Sequence, residues 1–273
     1  MHARHLLIAA ALLLAAALGG WLLFADASLE AIETEAPLPL PPIPPRIAGG
    51  LEYERCLGLL TVEPESAAAF ARSWGDRGGG APAQHCLALS RIALGEPGPA
   101  ADQLERLASA STSPSATRAV LLEQATQAWL MAGNPARAHA AATSALALTP
   151  EDPTLLIERA NASAQLDRDE EAAADLATAL RADARRADAL YLRAASLRRL
   201  GRIAEARADI DAALALDSEN PEALLERGIL RQRTRDDAGA RTDWEQVIAL
   251  APDSAAADLA RQNLALLEAG PSR

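Results

Sequence analysis

The stretch ADALYLRAASLRRLGRIAEARADIDAALALDSEN (residues 187–220) runs directly into PEALLERGILRQRTRDDAGARTDWEQVIALAPDS (221–254), and the two superpose without a gap. The same 34-residue spacing reaches upstream to Ala119. Ala138, Ala172, Ala206 and Ala240 recur at that interval, as do Leu122, Leu156, Leu190 and Leu224. A third column holds Leu146, Leu180, Leu214 and Ile248, and a fourth the small residues Thr126, Ala160, Ala194 and Gly228. A fifth takes the larger side chains Leu176, Ile210 and Trp244, with only Ala142 small. Each unit is too short to bury its own apolar face, so neighbours must stack and share one elongated core.

The punctuation divides each unit into two helices. Asp152-Pro153 and Asn220-Pro221 place a capping acceptor just before a proline in the first helical turn, and Asn134-Pro135 does so for a second helix. Gly133 and Gly201 stand where first helices must stop. The four clear units therefore begin at Ala119, Pro153, Ala187 and Pro221.

Upstream the pattern weakens. Stepping back past a four-residue slip at Ser115–Arg118 gives two degenerate units near 47–80 and 81–114, within a helical region over 47–118. Phe70 and Leu104 take the larger place and Ser66 and Ala100 the small one, but Gly50 and Gln84 replace the expected leucine. Gly78-Gly79-Gly80 lacks the Lys and Ser/Thr of a phosphate loop and reads as a connector. Downstream of 119–254, residues 255–269 predict a capping helix. Ala256, Ala260, Leu264 and Leu267 form its inner face, and Asp258, Arg261, Gln262 and Glu268 remain polar.

Composition supports close-packed helices. Half the residues are hydrophobic but only 3% are aromatic, so small side chains must let helices approach. The net charge is −11 with both signs interspersed, and all 26 basic residues are arginine. No basic stripe is present to displace counterions from phosphate, so nucleic acid is not an expected partner.

Residues 1–27 read as an export signal. Arg4 precedes a continuous apolar run from Leu6 to Phe24, and Ala25-Asp26-Ala27 offers a signal-peptidase site. The run is close to the ~20 residues that span a bilayer, so an uncleaved membrane anchor is the alternative. Either way the chain is expected outside the cytoplasm, in a periplasm if bacterial. Residues 28–46 contain APLPLPPIPP (36–45), an extended proline-rich spacer with no core of its own.

A 34-residue helix–turn–helix repeat with these columns resembles the tetratricopeptide repeat (TPR) family, strongly over 119–254 and weakly over 47–114. The resemblance implies an all-α right-handed solenoid whose first helices line a concave groove for an extended or helical peptide. Carried onto this chain, that face includes Gln127, Asn161, Gln165, Tyr191, Ala195, Arg198, Leu225, Ile229 and Gln232. The two-carboxylate clamp of chaperone-binding members needs lysine, and this chain has none. The implied function is a non-catalytic scaffold or adaptor in the cell envelope, or a membrane-anchored assembly factor for an envelope complex. The implied partner is a protein or peptide, and self-association is a further option.

Three sets of residues invite chemistry. Arg159, Arg193 and Arg227 each precede a small residue, with Asp175, Asp209 and Asp243 sixteen positions on. They read as a ladder for ligand or as ion pairs fixing the two helices of a unit, and repetition in every layer favours the ion pairs. Cys56 and Cys86 fall on the first helices of the degenerate units. In an exported chain an even count favours a disulfide, worth roughly 3–4 kcal/mol, over two buried thiols. His85 adjoins Cys86, but no further ligands sit at metal spacing, so neither a metal nor a cofactor is expected. His139 has no Ser or Cys in a nucleophile setting, so no catalytic residues are assigned.

Overall fold

The computed structural model describes residues 46–110 and 114–269. The expected signal or anchor (1–27) and all of the spacer except Arg46 lie outside the described residues. No strand occurs among those residues, and helices follow one another in antiparallel pairs. The first helices of the pairs are α1 (Leu51–Leu60), α3 (Gly80–Ala93), α5 (Ser115–Met131), α7 (Pro153–Gln165), α9 (Ala187–Arg199) and α11 (Pro221–Arg233). The second helices are α2 (Pro64–Trp74), α4 (Pro97–Ala110), α6 (Pro135–Leu146), α8 (Asp169–Ala182), α10 (Ile203–Leu216) and α12 (Asp237–Leu250). A last helix, α13 (Ala255–Ala269), closes the array.

Each helix packs on the next in sequence, and successive first helices also touch. Successive second helices do not pack to a comparable degree. The first helices therefore form the tighter, inner side of a right-handed TPR-type solenoid, and the second helices the outer side. One continuous core runs from Ala88 to Ala260, built from the alanine and leucine columns. A smaller one holds Tyr53, Cys56, Leu57, Ala71, Cys86 and Leu89.

The caps explain why helices start where they do. Asn134 accepts from Arg137 N–H, Asp152 from Thr154 and Leu155 N–H, and Asn220 from Ala223 N–H, as the Asx-Pro pairs implied. Asp236 and Ser254 do the same for α12 and α13. The slip at 115–118 is not a linker: it forms the first turn of α5, which starts four residues before Ala119. Four residues are close to one helical turn, so the insertion lengthens the helix without rotating its buried face.

Five of the six first helices, all but α1, end in one shared way. Gly95, Gly133, Asp167, Gly201 and Arg235 all have positive φ. In each case this residue donates to the carbonyl three back and the next residue to the carbonyl five back, which is the Schellman stop. Asp167 and Arg235 hold this conformation without the freedom of glycine. Asp167→Gly and Arg235→Gly are each expected to stabilise by about 0.5–1 kcal/mol, read as a raised urea midpoint at constant slope. A lowered midpoint would mean that the lost side chain outweighs the relieved strain.

The connector between α2 and α3 is a wide turn over Gly75–Gly79, with φ +92° at Gly78. At the far end α13 buries Ala256, Ala257 and Ala260 and packs Leu264 and Leu267 against the core. Its outer side is less polar than its sequence suggested, because Leu259 and Leu266 are exposed beside Asp258, Arg261 and Glu268.

Candidate interaction groove

The Arg–Asp ladder is internal. Arg159, Arg193 and Arg227 each donate through Nε and Nη2 to both oxygens of Asp175, Asp209 and Asp243, at 2.7–3.0 Å. Each fork ties the first helix of a unit to its second. The guanidinium groups are held above their ordinary pKa, chiefly by these hydrogen bonds. They are engaged within the solenoid and fix the pairing of its helices.

The expected groove residues occupy the first helices, but they differ in availability. Tyr191 and Ile229 are half-buried and pack against the long core. Gln127 is exposed and reaches from α5 to Glu158 on α7, its Nε2 2.6 Å from Oε1. Gln165 donates to Asn161 along α7, and Gln232 is half-buried on α11. Arg198 is bound to Glu226 on α11 through Nε and Nη2, so its charge is already matched. Leu225 is 9% exposed and belongs to the core, with its carbonyl accepting from Trp244 Nε1. Tyr191, Ile229, Gln127, Asn161, Gln165 and Gln232 are the members presented on the inner side.

Sequence reasoning passed over the carboxylates of this face. Glu158 and Glu226 belong to one column of the repeat, with Gln124 and Leu192 at the equivalent positions. Burial pushes Glu158 up to about 8. Glu123 and Asp152 contribute to that shift, and the Gln127 hydrogen bond opposes it. Its Oε2 is buried and has no hydrogen-bond partner. Burial also raises Glu123, helped by Asp152, and raises Glu226 against the pull of Arg198. The column was visible in the repeat, but nothing in it told a buried acid from a solvated one.

Cys56 of α1 and Cys86 of α3 are joined by a disulfide between the first two units, with Cα atoms 6.3 Å apart. His85 beside it is buried between Tyr53 and Gln124, which meet its two ring nitrogens. Among the described residues no group of three or more His, Cys, Asp or Glu side chains is placed to hold a metal ion. No helix of the described residues is long and apolar enough to cross a membrane.

Comparison with known proteins agrees with this geometry. Two tetratricopeptide repeat family models match, one over residues 130–189 and one over 187–220. No curated protein sequence matches. Among solved structures, pilF of Pseudomonas aeruginosa is 18% identical, with 78% of this chain and 96% of that chain covered and a TM-score of 0.60. MamA of Desulfovibrio magneticus RS-1 is 19% identical over 64% of this chain and 97% of that one, with a TM-score of 0.54. YrrB, described as a TPR protein with an unusual peptide-binding site, is 18% identical over 72% and 98%, with a TM-score of 0.52. At these identities the likeness is one of fold. The repeat columns, the stacked helix pairs and the matched segments converge: the chain carries tetratricopeptide repeats over 130–220, within a helical solenoid of the TPR type.

Proposed function

We propose that this protein is a non-catalytic adaptor that binds a segment of another protein along the inner face of its first helices. The observation that carries the reading is Glu158 Oε2, a buried carboxyl oxygen without a hydrogen-bond partner on that face. Burial pushes Glu158 up to about 8 and Gln127 already donates to Oε1, so near neutral pH Oε2 carries the proton. Leaving that O–H unpaired costs about 1–3 kcal/mol, and a bound segment bringing a carbonyl acceptor would recover it. Tyr191 and Ile229 supply half-buried apolar surface one and two units further along, the kind of anchor that dominates recognition.

The test is photo-crosslinking in the native cell with the reactive group at Tyr191 or Ile229, and at Arg207 on the outer helix α10 as control. A discrete adduct from the inner positions alone is expected. Equal labelling from both sides, or none from the inner one, removes the groove reading.

We place the adaptor in the cell envelope on the strength of the apolar run Leu6–Phe24 and its following small residues. A disulfide is at home in such an oxidising compartment. The length of that run favours a second reading, a membrane-anchored assembly factor for an envelope complex. A mature N-terminus at Ser28 belongs to the first reading and an intact one to the second.

A further inference from the structure

We propose that Tyr53, His85 and Gln124 form an acid-sensitive latch, which holds the N-terminal helices on the repeat array and releases them when the imidazole takes up a proton. His85 on α3 is 0% exposed, and both its ring nitrogens are used. Nδ1 lies 2.6 Å from the Tyr53 hydroxyl on α1, and Nε2 lies 2.6 Å from Gln124 Oε1 on α5. An amide oxygen only accepts, so Nε2 carries the proton and Nδ1 accepts from Tyr53. The tyrosine oxygen in turn receives Ile47 N–H at 3.4 Å. The chain of bonds is complete for one tautomer of the neutral ring.

His85 stands on a seam. Its helix gives Cys86 and Leu89 to the small N-terminal core and Ala88 to the long one. First helices α3 and α5 pack less closely than the later pairs of first helices do, and the His85–Gln124 bond crosses between them. The disulfide ties α1 to α3, so the Tyr53 side is tethered covalently and the Gln124 side is not. A second ring proton turns Nδ1 into a donor facing the hydroxyl that had donated to it. It also places a full charge in the interior.

No charged group near the seam offsets that charge. Glu54 on α1 and Arg46 before it act on Tyr53 rather than on the ring. On α2, Trp74 faces Tyr53, while Glu65 and Arg72 are exposed. On α4, Gln103 is bonded to the Gln84 carbonyl and to Arg91 of α3, and Asp102 and Glu105 pair with Arg137. On α5, Glu123 lies beside Gln124 but in the field of Asp152 and Glu158. Burial lowers His85 from 6.5 to about 4, with the Gln124 bond opposing.

The released form thus binds the proton from pH 6.5 downward, and the latched form only near 4. Between those values the released form holds more protons, so falling pH favours release. The latch is at full strength above pH 6.5. The opening constant rises up to about 300-fold across the window, tenfold for each pH unit.

Amide hydrogen exchange of the full chain from pH 7 to pH 4, corrected for intrinsic rates, reads opening segment by segment. Residues 51–93 are expected to gain up to about 300-fold in opening constant over residues 187–250, and His85→Phe is expected to lose that excess. An equal rise in both segments, no rise, or an undiminished rise in His85→Phe overturns the latch. If that variant does not fold, nuclear magnetic resonance of the wild-type ring decides. Titration near 4 with release of 51–93 is expected, and titration near 6.5 with those helices still protected overturns the proposal.

Discussion

Replacing Asp243 with alanine is expected to lower the unfolding free energy by about 3–5 kcal/mol, far more than loss of a surface ion pair. Exposed pairs contribute about 0–1 kcal/mol because water and salt screen them. Asp243 is different: only 1% of its side chain is exposed, and two arginines converge on it. Arg227 donates from Nε and Nη2 at 3.0 and 2.7 Å, and Arg231 Nη1, which donates to the Gly239 carbonyl, forms an ion pair with Asp243 at 2.8 Å. Removing the carboxylate leaves Arg227 without its counter-ion and Arg231 with only the more exposed Asp236 at 3.6 Å, and breaking a buried pair on one side is the costly case. The arginines keep 28% and 34% of their side-chain surface exposed, which lets them turn partly to water and favours the lower end of the range.

The ladder supplies its own internal control. Asp209 and Asp175 are more exposed, at 10% and 14%, and each meets one arginine fork. Their alanine variants should cost progressively less, in the order Asp243, Asp209, Asp175. Urea unfolding followed by the fluorescence of Trp244, on the same helix as Asp243, reads the first of these. A loss below about 1 kcal/mol at Asp243 would show that the forks contribute no more than surface bridges.

These forks were legible as a spacing of sixteen residues, because a repeat fixes what faces what inside one unit. Contacts between units were harder to read. Gln124 and Glu158 occupy one column, yet one joins His85 and the other takes Gln127, since the partner comes from a neighbouring unit that differs each time. Leu225 and Ile229 lie one turn apart on α11, and the period could not say that only the first is fully buried. The left-handed stops at Asp167 and Arg235 were likewise hidden, because no glycine marks them. The slip before Ala119 showed only as four residues out of register. It adds a helical turn, which the residue count permitted but did not require.

The second large effect lies where the small and large columns meet. Trp244 on α12 is 0% exposed, and its ring lies against the backbone of Gly228 on α11. A Cβ at Gly228 would fall 2.3 Å from Trp244 Nε1 and 2.7 Å from Cδ1, inside any real contact distance. The other units hold Thr126 with Ala142, Ala160 with Leu176, and Ala194 with Ile210. The largest member of one column, Trp244, stands opposite the smallest of the other, Gly228, and the smallest, Ala142, opposite the largest, Thr126, so the two columns are complementary in size. Trp244→Ala should cost about 3–5 kcal/mol, a lost transfer term plus a cavity. Gly228→Ala should cost about 1–2 kcal/mol, overpacking partly offset by the better helix propensity of alanine. Combining Gly228→Ala with Trp244→Leu rebuilds the Ala/Leu pair of the Pro153 unit and should be more stable than the two single changes sum to, by about 1–3 kcal/mol. Circular dichroism in urea suits all four proteins, because it does not depend on the tryptophan being removed. Additive losses, within about 0.5 kcal/mol, would mean that Gly228 and Trp244 are tolerated independently and that the two columns are not volume-matched.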